Sequence, residues 1–423
     1  MIKIQNRLES ILQAKSEYRE YSKKDFFIVF SVILVSKSLY YESYGGNYLL
    51  IGLFFLLSFL IIPNIKNLKI EKIILLYIFG LLALILINLE TSYRSVLVLV
   101  NLMLIGIMII HLVSFERFSK AFIKIMLILC IISWPALLVI QYDLNSPLPN
   151  FSSVHYIEDV RGRTLKNFIF FGVDEGLIKY TILRTSGIWW EPGAFQVFIN
   201  LAVIFSLINN SLSMKRYTIF AITILTSMST SGLLAFTLLS LIFFKKHLKF
   251  KNNLTLYLIP LFILVLGSIF IGPIILEKMS GSHLSFLSRY HDIVISINMF
   301  ADNFFLGYGY GTTVEKKIPY GEDLLGYDLY WSSAPSASDG ITGFIAQVGV
   351  LGFIFMYPFL FPRYCKHLKL SDSLLISLSL LIIFNTQNFT NILIFTVLTF
   401  YALIDNEKNK PKEIKNIFSN TSS

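Results

Sequence analysis

The chain has 423 residues, 55% hydrophobic and 15% charged, with 36 Lys and Arg against 26 Asp and Glu and a formal charge of +10. Its mean hydropathy is +0.67, and its charged content falls well below the roughly one quarter usual in soluble domains, which excludes a soluble globular domain. Apolar blocks of roughly 17–22 residues match a bilayer-crossing helix, so the positive charge reads as orientation and anionic-lipid contact, not nucleic-acid binding.

In chain order, the basic first 24 residues precede an apolar run with no small-residue cleavage site, which reads as a retained signal anchor. The pattern predicts about twelve spans: Asp25–Tyr41, Asn47–Pro63, Glu71–Leu89, Ser95–Val113, Ala121–Gln141, Pro192–Ile208, Tyr217–Met228, Ser231–Phe244, Leu254–Leu276, Ile341–Phe361, Ser373–Thr386 and Phe389–Ile404. The seventh and eighth flank the polar "TSMSTSG" (Thr226–Gly232), which predicts a tight hairpin buried in protein or facing water. With the N-terminus inside, Lys66, Lys69, Arg117, Lys120, Lys245, Lys246, Arg363 and Lys366 all fall in inside loops, as the positive-inside rule requires. The expectation is one integral membrane domain over residues 1–423, with cytoplasmic termini (1–24 and 405–423). Two long outside segments, Tyr142–Glu191 and Glu277–Gly340, are of a length usually reserved for functional loops. Cys130 and Cys365 read neither as a disulfide nor as a metal pair.

The first outer segment ends in "RTSGIWWEPGAFQVF" (Arg184–Phe198). Pro192 suits the first turn of a helix, with Glu191 at its cap, and a helix N-terminus favours anions. Arg184 adds a planar fork of donors for a phosphate group. Trp189 and Trp190 fit an interfacial aromatic belt or a stacking platform for sugar rings. A surface ion pair is the plainer reading of Arg184 with Glu191, but a weaker one, because the cap geometry leaves an anion site open.

The second outer segment holds "SRYHDIVISINMFADNFFLGYGYGTT" (Ser288–Thr313). Arg289 opens an amphipathic stretch, and His291 reads most simply as a solvated loop histidine, though it joins Arg289 in the substrate-binding set. The glycines at 307, 309 and 311 form a turn that lacks a phosphate-loop lysine and a flanking strand. The same turn faintly resembles a potassium-channel filter without its pore helix. Ser338 or Asp339 would cap the tenth span, and a catalytic Asp339 is the sharper reading. There is no Walker A motif, zinc-protease pattern, nucleophile elbow or Asp-x-Asp pair, so no metal or cofactor is expected.

In this order, "RTSGIWWEPGAF", "STSGLLAF", "RYHDIVISINMFADNFFLGYGYG" and "GFIAQVGVLG" resemble the O-antigen polymerase and ligase superfamily, Wzy-type polymerases in particular. The likeness covers roughly Arg184 to Gly352. It implies an all-α, polytopic, GT-C-like helical bundle in the bacterial inner membrane with periplasmic loops. It also implies an inverting, metal-independent glycosyltransferase that uses an undecaprenyl-diphosphate-linked glycan as donor and acceptor, with a chain-length regulator as a candidate partner. Arg184 and Arg289 then become the diphosphate ligands, and Glu191 or Asp339 the group that orients or deprotonates the acceptor hydroxyl. The ligases carry a histidine where Ser338 stands, which favours polymerase over ligase. The family's hairpin arginine is absent, since Ser231 is followed directly by Gly232, so no donor-binding role passes to that hairpin. A flippase or secondary transporter is the alternative from another class; such carriers have short loops and charged spans.

Overall fold

The computed structural model describes residues 21–38, 46–62, 70–88, 90–145, 157–158, 164–168, 171–174, 184–189, 191–247, 284–326, 340–385 and 392–404. The ninth predicted span (254–276), the C-terminal tail, Trp190, Ser338 and Asp339 lie outside them. Among the described residues, fourteen α-helices dominate: α1 (Lys23–Val35), α2 (Gly46–Ile61), α3 (Lys72–Ile87), α4 (Tyr93–Leu112), α5 (Phe115–Asn145), α6 (Pro192–Ile208), α7 (Met214–Ser227), α8 (Thr230–His247), α9 (Leu284–Asp302), α10 (Thr313–Leu325), α11 (Ile341–Val348), α12 (Gly352–Leu360), α13 (Leu370–Asn385) and α14 (Leu393–Leu403). Two apolar segments, Tyr93–Leu112 and Phe115–Leu138, are long and apolar enough to cross a membrane. Large apolar side chains such as Phe59, Leu76, Phe79 and Leu97 stand exposed on α2 to α4.

Helix α6 is apolar around its circumference and buried from Pro192 to Leu207, the pattern of a central helix. α5, α7, α8 and α13 pack around it. α14 is buried along its length and packs on α4 and α12. One continuous apolar cluster reaches from Ile28 to Leu403, and a satellite of Ile295, Met299 and Ala346 lies between α9 and α11. At the basic end, Arg117 pairs with buried Asp25 at 3.2 Å and Lys245 with Asp372 at 2.8 Å.

The break within "TSMSTSG" is present. Met228 adopts left-handed backbone (φ 49°), and the rings of Tyr217 and Phe243 stack at 4.4 Å, so α7 and α8 fold back on one another as a hairpin.

One expectation gains an addition and one needs correction. To the helical body the first outer segment adds a small three-stranded antiparallel sheet, β1 (Ile157–Glu158), β2 (Thr164–Phe168) and β3 (Phe171–Asp174), with Leu165 opposite both Ile157 and Asp174. The "TLKNFIFFGVD" run carries the aromatic and β-branched residues that favour strands. The tenth span is not one helix, because α11 ends at Gly349 (φ 71°). There Val350 donates to the Phe304 carbonyl at 2.7 Å, so the chain leaves the helix to pair with the turn after α9.

Candidate functional site

Two polar regions interrupt the apolar body. The first surrounds the tip of the α7–α8 hairpin. A helix C-terminus leaves carbonyls without intrahelical partners. Arg184 supplies donors to them: Nε to Ser227 at 3.1 Å and Nη2 to Met228 at 3.3 Å. Its neighbour Thr185 donates its amide to the Thr226 carbonyl at 3.1 Å. The half-buried guanidinium therefore holds the hairpin, a contact not foreseen for a diphosphate ligand.

Gly187 turns the chain with φ +61°, and the Phe195 ring lies 3.0 Å from where a Cβ would stand. Trp189 follows, fully buried. Its indole stacks on Phe198 at 4.3 Å and on Phe195 at 5.2 Å, and Nε1 donates to the Ser36 carbonyl at 3.3 Å. This corrects both the belt and the sugar-platform expectations for Trp189, because the ring is fully buried and its polar edge is engaged inside the protein.

Glu191 is the N-cap of α6 in extended conformation, with no side-chain cap hydrogen bond, and it is half-buried. One turn further in lie Gln196 and Asn200, wholly buried polar residues in an apolar helix. Asn200 Nδ2 donates to the Gln196 carbonyl at 3.0 Å, to Gln196 Oε1 at 3.1 Å and to the Gly232 carbonyl at 3.2 Å. Thr185 Oγ1, Gln196 Nε2 and Asn200 Oδ1 have no partner. Exchanging the oxygen and nitrogen of either amide would oppose two donors or two acceptors, so these unmet groups belong to the arrangement. Only the spacing of two amides on one face of an apolar run hints at them in sequence.

The second region is a lobe built from α9, α10, α11 and the glycine-rich turn. Asp292 and Lys317, 1% and 3% exposed, form an ion pair at 3.0 Å. His291 is 6% exposed and its Nδ1 lacks a partner, which corrects the solvated-loop reading: the helix turns it into the lobe. Burial pushes its pKa down, with Asp292 opposing. Arg289 is half-buried and, among the described residues, makes no hydrogen bond or ion pair. Nearby, the Tyr320 hydroxyl donates to Asp302, and burial, then that contact, raises the Tyr320 pKa.

The "GYGYG" turn is occupied by structural bonds. Tyr308 and Gly309 amides donate to the Ala346 and Gln347 carbonyls at 3.0 Å each, capping α11, and Gly311 N donates to Gln347 Oε1 at 2.8 Å. Its carbonyls accept from Asn88, Thr312 and the Ser92 amide. Neither phosphate cradling nor ion coordination fits groups so engaged.

The two regions are linked through packed helices: α9 on α11, α11 on α13, α13 on α8. Arg184 belongs to the first region, at the hairpin tip, and Arg289 to the second, on α9. A largely apolar cavity of about 800 Å³ lies between α1, α2 and α5, lined by residues including Phe30, Leu34, Leu53, Leu129 and Ile188. Ile188 connects it to the Arg184 segment. Among the described residues no group of three or more His, Cys, Asp or Glu is placed to hold a metal ion. Comparison with protein-family models, curated proteins and solved structures returns no match.

Proposed function

We propose that this chain polymerises undecaprenyl-diphosphate-linked repeat units into O-antigen or a related surface polysaccharide, as a twelve-span, GT-C-like protein of the bacterial inner membrane with periplasmic outer segments. The observation that carries the reading is Arg289: a half-buried guanidinium with no described protein partner, in the motif that carries the family resemblance. A cation so placed suits an anionic ligand. The 800 Å³ apolar cavity that reaches Ile188 supports a lipid-linked substrate.

In this reading the acceptor hydroxyl attacks the anomeric carbon, the glycosidic bond to the diphosphate breaks, and the lipid diphosphate leaves. Arg289 stabilises charge on the leaving group, where a preorganised donor acts most strongly. Arg184 contributes by holding the hairpin tip, and Glu191, or Asp339, accepts the hydroxyl proton. The reaction needs no metal.

The test is surface-polysaccharide length in a strain whose only copy is Arg289→Ala. Single-repeat products with normal protein in the membrane support the reading, because a carrier defect would leave no repeat outside. Long chains at wild-type level would refute it.

A further inference from the structure

Arg289 and Asp292 are three residues apart on α9. Residues at that spacing are neighbours on a helix surface, and opposite charges there normally pair. They do not pair here. Asp292 turns instead to Lys317 Nζ on α10, at 3.0 Å, with the two side chains only 2% and 4% exposed. Replacing a buried ion pair by apolar residues is often neutral or stabilising, so stability alone does not account for placing it in a lobe whose own core is small.

We infer that Lys317 is a positioning residue: by holding Asp292 it keeps the Arg289 guanidinium open to an anionic phosphate or diphosphate ligand. The inference rests on the reading of Arg289 as an anion site. The geometry makes the device directional. Without Lys317, Asp292 keeps its charge, and the Arg289 guanidinium three residues away on the same helix becomes a cation for which it competes with the ligand. Without the Asp292 charge, Arg289 has no competitor and stays open. A pair that only braces α9 against α10 loses the same contact from either side.

The experiment measures inorganic pyrophosphate binding by calorimetry to the full-length protein in detergent at low salt, with a thermal melt for each variant. Arg289→Ala should weaken binding about tenfold or more. Lys317→Met should weaken it about three- to fivefold, the factor an exposed ion pair supplies as a competitor. Asp292→Asn should bind as wild type, and Asp292→Asn should restore binding when added to Lys317→Met. Lys317→Arg should keep binding. Equal losses in Lys317→Met and Asp292→Asn would overturn the inference while leaving Arg289 as the anion site. If Lys317→Met does not accumulate, Asp292→Asn decides: weakened binding with a wild-type melt overturns the inference. Unchanged binding in Arg289→Ala would remove the anion site itself.

Discussion

Arg184 donates from Nε to the carbonyl of Ser227 at 3.1 Å, joining an outer segment to the tip of a hairpin more than forty residues further along the chain. Its charge sits at the negative end of the α7 dipole. Arg184→Ala should therefore destabilise the protein by about 1–2 kcal/mol, the range for charge-assisted hydrogen bonds at a partly exposed site. Arg184→Lys should recover part of this. Hydrogen exchange at residues 224–232 should accelerate in the alanine variant. An unchanged melt and unchanged exchange would show that the arginine does not clamp the hairpin.

At Gly232, α8 approaches α6 closely. An added Cβ would stand 2.7 Å from Gln196 Cβ, and a Cβ so near its own backbone has little freedom to yield. Gly232→Ala should cost about 1–3 kcal/mol through overpacking, read as a lower melting temperature. A variant with wild-type stability would mean that the two helices separate without cost.

Gly349 ends α11 with φ 71°, and a Cβ there would meet the Phe305 carbonyl oxygen at 2.1 Å. Left-handed backbone alone costs about 1–2 kcal/mol for a residue with a side chain. The clash with a carbonyl adds to it, so Gly349→Ala should exceed roughly 3 kcal/mol. Expression trials should show strongly reduced accumulation, while Gly326→Ala, where nothing lies within 4 Å, should accumulate more. Equal yields would contradict the tight approach of the two turns.

His291 should make the lobe acid-sensitive. Burial lowers its pKa in the folded state, against the opposing charge of Asp292, so the unfolded chain binds the proton more readily. Above the ordinary histidine value of about 6.5 both states are neutral and the contribution is fully present. As pH falls below that value the unfolded chain protonates first, and stability declines towards the lower folded pKa. Hydrogen-exchange protection in α9 and α10, taken relative to the intrinsic exchange rate at each pH, should fall as pH is lowered from about 7.5 to 5.5, and His291→Gln should flatten the change. An equal fall in both proteins would assign the acid effect to another group.

Much of the helical layout was legible because hydrophobic length and helix-end chemistry are local. Pro192 starts α6 as its fixed φ requires, Glu191 sits at the cap, and the polar "TSMSTSG" divides two helices at Met228. The strands were readable in principle from "TLKNFIFFGVD", but a search for long apolar blocks passes over runs of five residues. The break at Gly349 is a different case. "GFIAQVGVLG" is uniformly apolar, and the helix stops there because the carbonyls of Ala346 and Gln347 and the amide of Val350 find partners in the turn after α9.

At the candidate site, residue type identified Arg184, Glu191, Arg289 and His291 as places where chemistry is possible. Sequence alone determined the apolar helices and placed Arg184 and Arg289 in the two long, more polar segments between them. Tertiary structure decided which groups each of them meets. Trp189 stacks on Phe195 and Phe198 because Gly187 turns the chain inward, and Arg184 reaches the hairpin because α7 ends with unpartnered carbonyls. Asp292 faces Lys317 rather than Arg289 because α10 packs against the buried side of α9, and Gln196 and Asn200 are buried because α6 is enclosed on every side. Hydrophobicity and helix-end preference act within a few residues, so one chain can reveal them. Partner choice for a charged or polar side chain is settled by which distant segment excludes water from it, and that is set only once the helices have packed.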